Sequence, residues 1–356
     1  MRKTCASLLI VALTLLSVNT ASSASITPAK LGAKCVNRHA ETKVAGKYFV
    51  CTLLNSKMTW QPSVAAIEKS IWLDLQKRRS AQKDATTVLD IHYSPTVNRK
   101  FTDAILAGVN SAAKLWQDQY LPKSPLPTFF FSEKDRQWFI DEMKSAGLFS
   151  DEQVSHFDNE IIRNGDRASW AGITGTNGQI WMLFMVGTGR AELDRNIAEV
   201  PAHEYTHLAQ FSVTEQNQDE LTCWQVEGGA AFYGSYLGSK TAQELADSAK
   251  ERNGDRGDDG YQGMINTDPK EFEKLLDKFG PRYNHNKCGP DGAFQIGSTA
   301  HEYLYTLKGH DGIIDFMKNV SAEGDYKKAV QITYGKPWPT LRKEIANYMR
   351  LVVAQN

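Results

Sequence analysis

The segment AEVPAHEYTHLAQF, residues 198–211, contains two histidines four positions apart, with a glutamate directly after the first. In a helix, positions i and i+4 lie one turn apart on the same face, so His203 and His207 would direct both imidazoles toward one point. Zinc binds imidazole nitrogens at about 2.0 Å, and Glu204 would stand where it can take a proton from a water that the metal activates. The pattern therefore predicts a catalytic zinc site with Glu204 as the general base.

A second His-Glu pair shows how strongly this prediction depends on spacing. In HEYLYT, His301 and Glu302 are followed by Tyr305 at the position where the second histidine ligand would stand. This segment cannot form the same site. We expect His301 and Glu302 to lie at the surface or beside the metal ligands rather than among them.

A third metal ligand is expected on a nearby element, because catalytic zinc usually has three protein ligands and one open position. Glu227, in CWQVEGGAAFYGSYLG, follows His207 by 20 positions, which leaves room for one helix to end and a second to return. The two glycines and two alanines at 228–231 would let these helices approach closely. A buried carboxylate paired with an arginine is the alternative, and the HExxH motif upstream favours the ligand.

HExxH with a glutamate about twenty residues downstream, within W-x-x-E-G-G-A, resembles the gluzincin metallopeptidases, the group of thermolysin and the zinc aminopeptidases. The resemblance covers about residues 165–240, and it implies that His203, His207 and Glu227 bind one catalytic Zn²⁺ while Glu204 acts as general base in peptide hydrolysis. Thermolysin-type enzymes have a carboxylate four positions after the third ligand, where this chain has Ala231, and the aminopeptidase signature G-x-M-E-N is absent. The chain therefore most resembles the poorly characterised secreted bacterial members of this group.

Peptide hydrolysis also requires a hydrogen-bond donor to the developing oxyanion, which proteins of this group supply as a tyrosine or histidine from their helical half. Cys223 lies one helical turn before Glu227, and a disulfide to Cys288 would bring PRYNHNKCGPDG to the rim of the site. Tyr283 and His285 are therefore the candidate donors. The alternative is that both are surface residues of a loop.

Two further features have weaker links to catalysis. Tyr233 and Tyr303 are additional candidate donors, although aromatic residues on helices usually belong to the core. By the resemblance, the strand QIWMLFMV at 179–186 would run along the edge of the active-site cleft and pair with an extended substrate through its backbone.

The N-terminus predicts export. Arg2 and Lys3 precede an apolar run from Ala6 to Val18 and then small residues, which is typical of a secretory signal peptide cleaved after Ala24. This run is too short to span a bilayer, and no later segment approaches the required length, so no membrane insertion is expected. We predict that the mature protein is either secreted or located in the cell envelope. In the cell envelope it would associate with envelope components.

Charge excludes one class of partner. The predicted leader removes two basic residues, which leaves 39 basic side chains against 41 acidic ones. Such a balance provides no electrostatic basis for binding nucleic acid. The expected partner is a peptide or protein substrate.

Cysteine usage agrees with an oxidising compartment. Cys5 belongs to the leader, so the mature chain has four cysteines, an even number that indicates two disulfides. Three pairings are possible, and proximity favours Cys35 with Cys51 and Cys223 with Cys288. Four free thiols are the alternative.

The chain divides into a signal peptide at 1–24, a small disulfide-stapled module at 25–62 and a metallopeptidase domain at 63–356. Within this domain, strands and helices alternate up to a third strand in NGQIWMLFMVG, which follows a Gly-rich segment, and the remainder is helical. This order predicts an α+β fold in which a mixed sheet-and-helix half precedes a mostly helical half, with the zinc site in the cleft between them. The predicted elements before the third strand are helices at 65–85, 101–121, 136–147 and 151–162 and strands at 86–95 and 125–134.

These patterns predict a zinc-dependent peptidase. Two other functions stay open: an inactive member of the group that keeps the fold as a binding module, and a zinc amidase that acts on cell-envelope material. The presence of all four expected site residues argues against the inactive module.

Overall fold

A computed structural model describes residues 30–82, 87–122, 124–149, 151, 155, 158, 169–176, 179–186, 197–214, 220–254, 268–280 and 290–355. The predicted leader and most of the predicted helix at 151–162 lie outside these residues. The strands are β1 (Glu41–Val44), β2 (Lys47–Leu54), β3 (Lys57–Pro62), β4 (Leu89–Tyr93), β5 (Leu126–Phe131), β6 (Ser169–Thr176) and β7 (Gln179–Val186). The helices are α1 (Val64–Ala81), α2 (Arg99–Trp116), α3 (Arg136–Ser145), α4 (Glu199–Val213), α5 (Cys223–Gly238), α6 (Ala242–Gly254), α7 (Pro269–Lys278), α8 (Pro290–Glu323), α9 (Tyr326–Tyr334) and α10 (Trp338–Gln355).

The N-terminal module is a three-stranded antiparallel sheet in the order β1-β2-β3. Cys35 and Cys51 form a disulfide with an S–S distance of 2.01 Å, which confirms this predicted pair. The sheet is too small to bury a core of its own, so it docks on the end of α10. There the Gln355 side chain donates to the Pro62 carbonyl at 2.8 Å and to Thr52 Oγ1 at 3.2 Å.

A second sheet has the strand order β4-β5-β7-β6. Strands β4, β5 and β7 are parallel, and β6 is antiparallel to β7 along the whole of its length. The Gly-rich segment before β7 was not expected to be a strand. Its glycines weaken strand propensity, but complete backbone pairing with β7 compensates for this.

The position of β6 overturns one prediction. Because β7 lies between β5 and β6, it has no free edge for an extended substrate, and β6 is the outer strand on that side of the sheet as far as the structure describes the chain. The error follows from the missed strand, since a chain without β6 would leave β7 at the edge.

Strands β5 and β7 are buried on both faces, which explains their continuous apolar runs. Phe130 and Phe184 point to one face and join the main core beneath α2 and α4. Phe129 and Trp181 point to the other face and pack with α3 residues such as Phe139 in a smaller core. The sheet therefore holds α2 and α4 in fixed positions on one side.

From residue 197 onward, every regular element among the described residues is a helix. Nearly all residues of α5 are buried, because it packs against both α4 and α8. The fold is α+β, as the order of elements predicted. None of the helices described is both long enough and apolar enough to cross a membrane.

Candidate metal centre

Helix α4 carries HExxH and presents it away from the core. Its inner face, including Ala202 and Tyr205, is fully buried, and Gly108 of α2 lies so close that a Cβ there would meet the Ala198 carbonyl at 2.3 Å. Because the helix begins at Glu199, Pro201 stands in the first turn, where no intrahelical N–H bond is lost. His203 therefore lies in a regular turn, one turn before His207.

Helix α5 brings Glu227 to α4. The turn before it is closed by the Thr222 backbone N–H, which donates to the Gln225 side-chain oxygen at 2.7 Å. Glycines then line the face toward α4, and a Cβ at Gly234 would lie 3.1 Å from His203 Cβ. This close packing of small residues, which the sequence predicted, brings a carboxylate within reach of the two imidazoles.

The three predicted ligand atoms lie around one point. His203 Nε2 and His207 Nε2 are 3.0 Å apart, and Glu227 Oε2 lies 3.6 Å and 3.7 Å from them. The circle through three atoms so spaced has a radius of about 2.0 Å, which is the usual length of zinc bonds to nitrogen and carboxylate oxygen. The residues thus fit a small divalent cation held by three protein atoms.

The three side chains are screened from solvent without being sealed off. They are exposed by 13% at His203, 12% at His207 and 11% at Glu227. A part of each of the three side chains is therefore accessible to solvent. Three donors leave one position of a tetrahedral zinc site for a water or a substrate oxygen.

Glu204 follows His203 on the same helix. Burial raises the pKa of the Glu204 carboxyl well above its usual range, and the neighbouring Glu227 carboxylate raises it further. A cation beside both groups would act in the opposite direction and favour their charged forms.

Two residues that the sequence analysis missed also contact the site. The Gln210 side-chain oxygen lies 2.8 Å from His207 Nδ1, and the Phe294 ring stacks on the His203 ring with centroids 5.6 Å apart. Gln210 follows His207 by three positions, so helical spacing could have identified it. Phe294 is remote in sequence on α8, and nothing in the local pattern indicates its contact.

His301 and Glu302 are buried on α8, which excludes the surface position, one of the two alternatives that the sequence left open. The His301 ring packs near the site instead: a Cβ at Gly229 would lie 2.9 Å from His301 Nε2 and 3.0 Å from Gln210 Nε2. Glu302 accepts hydrogen bonds from the Tyr236 and Tyr348 hydroxyls. The surface alternative was considered because both residues are polar, and the sequence does not show that other helices cover this part of α8.

The weaker donor candidates have other partners. Tyr233 is buried and its hydroxyl lies 2.6 Å from His310 Nδ1, while the Tyr303 hydroxyl donates to Glu344 at 3.0 Å. Neither hydroxyl is free to stabilise an oxyanion.

Three predicted residues fall on segments that are not described. Tyr283, His285 and Cys288 all lie between residues 280 and 290, outside the described ranges. Cys223 at the start of α5 is disulfide-bonded. The roles of Tyr283 and His285 stay predictions.

No known protein family, curated protein or solved structure shows a significant match to this chain.

Proposed function

We propose that this protein is a zinc-dependent peptidase of gluzincin type that acts outside the cytoplasm. One observation carries the proposal: the ligand atoms of His203, His207 and Glu227 surround a single point at bonding distance for zinc. Two imidazoles and one carboxylate on two packed helices form a donor set that suits zinc. The predicted leader and the Cys35–Cys51 disulfide support an oxidising, exported location.

A zinc ion bound there would supply a Lewis acid that polarises a substrate carbonyl and acidifies a water molecule. The protein's own contribution to the chemistry is the Glu204 carboxylate. It would accept the proton of the attacking water and deliver it to the leaving amine as the peptide bond breaks. His203, His207 and Glu227 would hold the cation and leave one position open.

Strand β6 is the element we propose for binding an extended peptide. Among the described residues it is the outer strand of its sheet, and it packs against α4, which carries the site. An outer strand offers backbone N–H and carbonyl groups that a peptide can pair with irrespective of its side chains. Its place beside α4 supports the prediction that the site opens into a cleft between the two halves.

Metal analysis and peptide hydrolysis test this function together. Purified wild-type protein should contain about one zinc ion per chain and should cleave members of a broad peptide library. Glu204→Gln should keep the metal but lower kcat/KM by about 10²- to 10⁴-fold, because the general base is absent. Glu227→Ala, the matched control, should lose the metal itself.

Each result that would contradict the proposal is distinct. Wild-type protein that takes up no zinc would exclude the metal site. A zinc-loaded protein that cleaves envelope amides but no peptide would identify the amidase, and one without any hydrolase activity would identify a binding module. Full turnover by Glu204→Gln would exclude Glu204 as the base.

A further inference from the structure

We propose that Gln210 is a positioning residue that holds His207 in the tautomer required for metal binding; this inference rests on the proposed metal site. Gln210 is only 1% exposed and lies one turn after His207 on α4. Its side-chain oxygen is 2.8 Å from His207 Nδ1. Its side-chain nitrogen is 3.0 Å from the Val226 carbonyl oxygen and 3.2 Å from the Gln225 carbonyl oxygen.

The two carbonyl groups determine which way the amide faces. A carbonyl oxygen can only accept a hydrogen bond, so the NH₂ end of the Gln210 amide must point toward Val226 and Gln225. The oxygen end must then face His207. The two ends of an amide group have nearly the same shape, so the orientation of Gln210 is assigned from its hydrogen-bond partners.

The amide in turn determines where His207 carries its proton. An amide oxygen only accepts, so Nδ1 of His207 must be the protonated nitrogen. A neutral imidazole has one ring proton, so Nε2 keeps its lone pair. Nε2 is the atom that faces the common point, at 3.0 Å from His203 Nε2 and 3.7 Å from Glu227 Oε2.

Gln210 also joins the helices that carry the ligands. Gln225 and Val226 directly precede Glu227, so one side chain connects His207 on α4 with the backbone of α5 beside the third ligand. Gly229 makes this possible, because a Cβ there would lie 3.0 Å from Gln210 Nε2. The spacing between the two helices and the orientation of His207 therefore depend on the same amide.

The tautomer can be measured without metal and without any variant. In ¹⁵N-labelled, metal-free wild-type protein at mildly alkaline pH, the ring nitrogens of His207 should show a protonated Nδ1 and an unprotonated Nε2. Assignment uses the signal that disappears in His207→Gln. A protonated Nε2, or an even mixture of tautomers, would overturn the inference whether or not the protein binds zinc.

A pair of substitutions then tests the effect on metal binding. Gln210→Met keeps the volume but removes the acceptor for Nδ1, and should weaken zinc binding by about 10- to 100-fold in competition with a chelating indicator. Gln225→Met is the matched control, since Gln225 is equally buried but its side chain contacts Thr222. It should leave zinc affinity at the wild-type value.

A purely structural role for Gln210 predicts a different outcome. In that case both methionine variants would unfold at lower temperature with equal, wild-type zinc affinity, and the inference would be wrong while the proposed function stood. If wild-type protein bound no zinc, the proposed function would fail, and the tautomer measurement would still decide whether Gln210 orients His207.

Discussion

Four histidines of the helical half fall into two pairs that differ in burial. His203 and His207 are partly exposed beside a carboxylate, an environment in which an imidazole can bind a cation. His301 and His310 are buried on α8, and burial lowers the pKa of each to about 4. The same residue type therefore occurs in two environments: one suits the proposed binding of a cation, and the other favours a neutral ring packed in the core.

Burial of His310 predicts that acid destabilises the fold. Its pKa is lowered to about 4 by burial and then by the charge of Arg78, against an ordinary value of 6.5. Between pH 4 and pH 6.5, His310 is protonated in the unfolded chain but stays neutral in the folded protein. Stability should be complete above about pH 6.5 and fall as the pH is lowered toward 4, with a contribution from His310 of up to about 3 kcal/mol.

Urea unfolding at a series of pH values measures this effect. His310→Gln should reduce the slope of unfolding free energy against pH in the acid range, because it removes the group that titrates only on unfolding. His39→Gln, at an exposed histidine, is the control and should keep the wild-type slope. An unchanged slope in His310→Gln would contradict the assignment.

At the scale of elements, α5 is held between two helices through residues without side chains. A Cβ at Gly228 would lie 2.1 Å from the Gly297 Cα, far inside van der Waals contact. The α5–α8 crossing is therefore a direct backbone contact, one position along the chain from Glu227.

Gly228→Ala should separate α5 from α8. Alanine normally stabilises a helix by up to about 1 kcal/mol relative to glycine, so the sign of the effect is informative. Here the steric conflict should dominate and lower the unfolding free energy by about 1–3 kcal/mol. Thermal unfolding checks this, and a higher melting temperature would show that the helices do not touch at Gly228.

The N-terminal module depends on its disulfide in a different way. The sequence separation of 16 between Cys35 and Cys51 closes a loop whose cross-link contributes about 3 kcal/mol in the chain-entropy model. The double variant Cys35→Ser with Cys51→Ser should therefore expose residues 30–62 to limited proteolysis. Equal protease resistance of variant and wild type would show that docking on α10 suffices.

At the scale of the molecule, the sheet and the helical half meet at α4. The sheet supports the buried face of this helix, and α5 packs beside its ligand-bearing face. A cation held by residues of α4 and α5 would therefore stabilise the centre of the structure.

Removal of the metal should lower the stability of the whole protein. At a zinc concentration 100-fold above the dissociation constant, binding contributes about 2.7 kcal/mol. A chelator should reduce the melting temperature, and added zinc should restore it while magnesium, which prefers oxygen ligands, should not. Glu227→Ala is the control and should show no response to the chelator. If the chelator lowered the melting temperature of Glu227→Ala as well, the stabilising metal would be bound at a different site.

The sequence by itself determined the local features. HExxH places two imidazoles on one helical face through the 3.6-residue period, and the small residues after Glu227 predict close helix packing before any partner is known. The runs that became β4, β5 and β7 were identified by their β-branched and aromatic residues between turn signals. Each of these features depends only on residues that are close together in the sequence.

The tertiary structure decided what depends on distant partners. Strand β6 forms because β7 pairs with it, although its glycines predict a connecting segment, and this pairing moves the free edge away from β7. His301 and Glu302 are buried because α8 runs through the helical half, and Phe294 reaches His203 from the same remote helix. The common point of His203, His207 and Glu227 likewise required the crossing of α4 and α5. The spacing of residues within one helix or strand can be read from the local sequence. Burial, strand order and the distances between ligand atoms depend on contacts between elements that are far apart in the sequence.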